Sequence, residues 1–176
     1  MKNFSTKNLI FCALFVAILL VSQLVLSSIA GVEIVSVLLL AFSYKKGVKN
    51  GLMVASAFSL LRCFIFGFMP NVIVLYLIYY NLFALVFALV GKKFACNYSV
   101  KSHIICIVLS GVMTVCFTLL DCVITPLMYA FNFNSANAYF IASIPVIIPH
   151  VICVVATTIF LYFPLVKVLS IKSLQK

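Results

Sequence analysis

Residues 42–51 read Phe-Ser-Tyr-Lys-Lys-Gly-Val-Lys-Asn-Gly, a basic knot set between two apolar runs. Lys45, Lys46 and Lys49 fall together here, and the other lysines gather in the same way. Lys2 and Lys7 form one cluster, Lys92, Lys93 and Lys101 another, and Lys167, Lys172 and Lys176 the last. Each gap between clusters is long enough for an apolar chain to cross a bilayer and return. Hairpins of two spanning helices in each gap put all eleven lysines on one side of the membrane. Positive charge beside short loops marks the cytoplasmic side. The sequence therefore predicts an all-α membrane protein: a six-helix transmembrane bundle in one domain over 1–176, with N- and C-termini cytoplasmic.

Composition points the same way. Hydrophobic residues make up 66% of the chain, charged residues 8%, and the mean hydropathy is +1.34. A soluble domain of this size needs more charge than that to keep its surface wet. The net charge of +10 does not indicate nucleic acid, because the basic residues flank apolar spans. There they set topology and meet anionic lipid. The seven cysteines include no CxxC pair and lie mostly within apolar runs, so they read as small packing residues. Neither a metal site nor a cofactor is expected from this pattern.

The first thirty residues imitate a signal peptide, with a basic start, an apolar run, and small residues at Ser28 and Ala30. The run from Leu9 to Ile29 is too long for a typical h-region of about 7 to 15 residues and suits a retained span. The six spans are expected at about 8–29, 32–44, 48–68, 72–90, 102–131 and 138–166. The second is short. At about 1.5 Å per residue it covers some 20 Å of a core about 30 Å thick, which leaves Glu33 in a recess at its outer end.

Three charges lie away from the lysine clusters: Glu33, Arg62 and Asp121. An ionisable group in hydrocarbon costs at least about 2.5 kcal/mol, so each needs a partner or a wet cavity. All three map to the outer half of the bundle. Thr114, Thr118, Asp121, Thr125 and Tyr129 follow one another at steps of three and four, on one helix face. Ser143, His150 and Thr157 share a face of the last span, where Pro145 and Pro149 free backbone carbonyls a turn earlier. Tyr76 and Tyr80, and Gln23 and Ser27, are i,i+4 pairs. The sequence thus predicts an outward-facing cavity lined by Arg62, Tyr80, Asp121, Tyr129 and His150, with Glu33 at its rim. Arg62 and Asp121 either contact a ligand there or pair with each other. In the inner half of the first span, Ala13 and Ala17 form a small-residue step that lets another helix approach closely.

The order of these features resembles the substrate-binding S components of energy-coupling factor (ECF) transporters. Lys7 through Ala17 resembles that family's Lys-x-x-x-x-x-Ala-x-x-x-Ala opening. Gly31-Val32-Glu33-Ile34-Val35-Ser36 resembles a stretch entering its second span, and Ile144 to His150 resembles an I-P-x-x-x-x-H run at the start of its last. After His150 the chain departs from that group, with Ile152 and Cys153 where Gly-Asn is frequent, so the subgroup and its substrate stay open. The resemblance implies capture of a vitamin or related micronutrient from outside. It also implies a transmembrane coupling subunit as partner, met through Ala13 and Ala17, and two cytoplasmic ATPases. The chain has no Walker A sequence of its own and reads as a transport subunit, not an enzyme. Metal-ion members of the family carry a histidine just after the initiator, where this chain has Lys2. Two other classes compete: an intramembrane enzyme using Asp121 and His150 as an acid–base pair near Glu33, and a membrane scaffold using Ala13 and Ala17 alone.

Overall fold

The computed structural model describes residues 6–27 and 33–170. The signal-like Ser28 to Ala30, the Gly31-Val32 start of the second motif, and Lys2, Lys172 and Lys176 lie outside the described residues. The described chain forms five helices and no strand: α1 (Thr6–Leu26), α2 (Val35–Phe66), α3 (Pro70–Lys93), α4 (Val100–Met128) and α5 (Phe133–Val168). All five are long and apolar enough to cross a membrane, as expected of a multi-pass membrane protein.

The described chain forms five continuous helices where six spans were expected, because one helix carries two arms across a kink. The second and third spans join in α2, and the lysine-rich stretch between them is helical except at Gly47, where φ is +78° and ψ −179°. That backbone region is open almost only to glycine. The chain doubles back there. A Cβ built on Gly51 would lie 2.8 Å from the Ser43 hydroxyl, whereas eight residues of unbroken helix separate their Cα atoms by about 12 Å. α2 therefore has a first arm, 35–46, and a second, 48–66. The polar segment 132–137, which lies between the expected spans 102–131 and 138–166, joins the last helix, which starts at Phe133. Asn132 caps α5 by accepting from the Ser135 N–H at 2.8 Å, so nearly the whole segment is the first turn of a helix. α5 then runs on through Pro145, Pro149 and Pro164.

The short first arm of α2 is the centre of the bundle. From Val35 to Tyr44 every residue except Leu38 is buried. A helix that is apolar all round has no side to give to solvent, and here it is wrapped by its neighbours. Phe42 packs on Phe15 of α1 with ring centroids 4.3 Å apart, and Tyr44 meets Tyr162 of α5 edge-on at 5.5 Å. α3 brings Phe83 and Phe87 against it, then narrows to Ala88 and Gly91. At Gly91 the backbones nearly touch, since an added Cβ would lie 2.1 Å from the Tyr44 carbonyl oxygen.

The two ends of the bundle differ. At one end the start of α1 meets the α2 bend through Asn8 and Asn50. There Lys45 donates to the Cys96 carbonyl at 2.8 Å, and Tyr44 donates to that of Asn97 at 2.7 Å. Tyr98 packs on Phe163 there as well. All the described lysines belong to this end. The opposite end gathers the close of α1, both ends of α2, the start of α3, the close of α4 and the start of α5. It holds the costly polar groups.

Candidate functional site: an aromatic cavity with a guanidinium and a carboxylate

A cavity of about 690 Å³ opens among all five helices at the lysine-poor end. Small-molecule sites typically span about 300 to 1,000 Å³. α1 contributes Ser22, Gln23 and Leu26, and the two ends of α2 contribute Val35, Arg62 and Phe66. α3 contributes Tyr76, Tyr79 and Tyr80, α4 Phe117, and α5 Val146, Pro149 and His150. Glu33, just ahead of α2, completes one wall.

Glu33 is held from three sides. Ser36 and Tyr80 donate to one carboxylate oxygen at 2.7 and 3.1 Å, and His150 bonds the other as a close ion pair. The Ser36 bond follows from local spacing, one helical turn on at the start of α2. The backbone is anchored as well, with the Glu33 N–H donating to the Cys153 sulfur at 3.2 Å. His150 and Cys153 are three residues apart, so one face of α5 grips both the side chain and the main chain of Glu33.

Arg62 is held differently. Its Nε donates to the Gln23 amide oxygen at 3.0 Å, and the guanidinium carbon lies over the Tyr76 ring at 4.0 Å and over the Phe66 ring at 4.7 Å. Phe66 is one turn along the same helix. Gln23 in turn points its amide nitrogen at the Tyr76 hydroxyl, 3.5 Å away, which fixes which end of the amide faces the arginine. Stacking on aromatic faces suits a planar guanidinium and leaves its edge open. The remaining walls are aromatic and mutually locked. Tyr79 and Phe117 meet at 4.8 Å, Tyr76 and Tyr80 at 5.1 Å, and Phe58 and Tyr80 at 5.2 Å, with Phe117 edge-on to His150.

Of the residues expected at the site, Glu33, Arg62, Tyr80 and His150 line this cavity, while Asp121 and Tyr129 are outside its lining. Arg62 and Asp121 do not pair. Among the described residues the one ion pair is Glu33 with His150. Asp121 belongs to a second network: Thr125 donates to it at 2.7 Å and Tyr139 at 2.6 Å. Asn71 donates to Thr125 at 3.1 Å, and Tyr129 donates to Asn71 at 3.1 Å. These bonds tie the start of α3, the close of α4 and the start of α5 together. Ser143 and Thr157, on the His150 face, bond carbonyls of their own helix.

The sequence reading counts Gln23 and Tyr76, with Tyr79 beside it, among the polar groups of the outer half without naming them in the cavity's lining, and it misses Phe66 and Phe117. For Phe66 the i,i+4 spacing from Arg62 was the available signal. Phe117 carried no signal, being one phenylalanine among seventeen. Ala13 and Ala17 are both exposed on α1, facing away from the bundle. Compared with family models, curated proteins and solved structures, the chain matches none.

Proposed function

We propose that this chain is the substrate-capture subunit of an ECF-type transporter, embedded in a bacterial cell membrane. It binds a vitamin or related micronutrient in the cavity. The lysine end is cytoplasmic and the cavity end faces outside. With both arms of α2 crossing, the bundle makes six passes and keeps both termini inside. A separate transmembrane coupling subunit and two ATPases complete the machine, and Ala13 and Ala17 form the contact with the coupling subunit.

The observation that carries the reading is the cavity itself: five apolar helices converge their aromatic and charged residues on one space of ligand size. A helix bundle that served only to dock partners has no use for such a space. An acid–base enzyme built on Asp121 and His150 is disfavoured, because the two residues belong to separate hydrogen-bond networks. The exposure of Ala13 and Ala17 is what a contact with a partner helix requires.

The test is affinity purification from membranes of a host carrying the coupling subunit and ATPases. Wild-type chain should bring down both a small molecule and the partners. Ala13→Leu with Ala17→Leu should lose the partners and keep the small molecule, because the two sites lie at different depths. Partners without any small molecule would instead indicate a scaffold, and conversion of an added solute would indicate an enzyme.

A further inference from the structure

Glu33, with its His150 partner, and Arg62 line the same cavity, and their surroundings are unequal. The Glu33 carboxylate is saturated by Ser36, Tyr80 and His150, so its charge is offset within its own wall. Arg62 uses one of five N–H donors, on Gln23. Among the described residues no carboxylate lies within ion-pair distance of it, and both acids of the chain are engaged elsewhere. Every described lysine is at the opposite end of the bundle and His150 is committed to Glu33, so this guanidinium is the cavity's cation without an acidic partner among the described residues.

A guanidinium over two aromatic rings, with its Nε tied to Gln23, presents its terminal nitrogens as a fork. That fork matches a carboxylate or phosphate with two parallel hydrogen bonds. In a space walled largely by aromatic rings, an unanswered positive charge is costly, and an anion from outside relieves the cost. Tyr76, Tyr79 and Phe117 form the adjoining wall, and their faces and edges suit a flat ring.

We propose that the natural ligand is an anionic aromatic compound, with its carboxylate or phosphate on Arg62 and its ring against Tyr76, Tyr79 and Phe117. The inference rests on the reading of the cavity as a solute site and adds the ligand's charge and orientation. Gln23 is the positioning residue: it holds Nε and leaves the terminal nitrogens for the ligand.

Four naphthalene probes differing in one substituent test it on the full chain in nanodiscs: 2-naphthoate, 2-naphthyl phosphate, 2-naphthamide and 2-naphthylmethylamine. At least one anion should bind tenfold or more tighter than the amide, with the amine weakest. Comparison of the two anions distinguishes carboxylate from phosphate. Arg62→Met should abolish the anion's advantage over the amide, with an unchanged thermal unfolding temperature in nanodiscs as the check on the fold. Arg62→Lys should restore part of the advantage. An amide or amine that binds as tightly as the better anion overturns the proposal, as does an Arg62→Met protein that still prefers the anion. The compound retained through purification gives an independent arm. An anion supports the proposal, and a neutral or cationic compound overturns it while leaving solute capture intact. No retained compound and no probe binding would contradict solute capture, and the charge assignment with it.

Discussion

Gly91 and Gly47 are both glycines, for different physical reasons. At Gly91 the obstacle is steric: a Cβ would overlap the Tyr44 backbone at 2.1 and 2.8 Å, and backbone cannot step aside as a side chain can. At Gly47 nothing lies within 4 Å, and the obstacle is the positive φ alone. Gly91→Ala should cost about 3 kcal/mol or more, since it forces α3 away from the central arm. Gly47→Ala should cost about 1 to 3 kcal/mol of pure backbone strain. Gly51→Ala meets mainly the Ser43 side chain and should cost the least of the three. Thermal unfolding in detergent micelles measures all three, and a Gly91→Ala protein as stable as Gly51→Ala would contradict the close backbone approach. At this scale the sequence was informative about cost. Glu33, Arg62, Asp121 and His150 stood out because polar groups in apolar spans need partners. It did not reveal direction. Depth along a helix can be counted from the sequence, but which neighbour a face meets depends on packing, so Asp121 and Arg62 fell into different networks.

At the scale of elements, the Asp121 network works as a clasp. Three helix ends meet through Asn71, Thr125, Tyr129 and Tyr139, with the carboxylate accepting two short bonds at the centre. Asp121→Asn keeps the shape but replaces one acceptor with a donor facing a donor. It should destabilise the protein by about 1 to 3 kcal/mol and leave 2-naphthoate affinity within about twofold, because Asp121 is outside the cavity lining. A loss of affinity without a loss of stability would place Asp121 in the binding site instead. The same scale explains why helix boundaries were harder to read than helix existence. Apolar runs showed that helices exist. The α2 bend needs only one non-helical residue, so a lysine-rich stretch that looks like a loop stays helical on both sides of Gly47. The segment 132–137 looks like a loop because it is polar, yet Asn132 caps it into the first turn of α5.

For the whole molecule, the separation of lysines from cavity makes orientation a single question. With the native cysteines replaced, a cysteine at position 49 should be labelled only from the cytoplasmic side and one at 134 only from outside. The reverse pattern would turn the cavity inward and remove the capture reading. The central claim, that the cavity at the lysine-poor end holds a small solute, has a more direct test. Ser22 lines the cavity and makes no side-chain hydrogen bond among the described residues, so Ser22→Trp fills the space with little other change. Mass spectrometry of small molecules released from the purified protein should find one compound near one per chain in the wild type and in Asp121→Asn, and almost none in Ser22→Trp. No compound in the wild type, or an equal amount in Ser22→Trp, would contradict the claim.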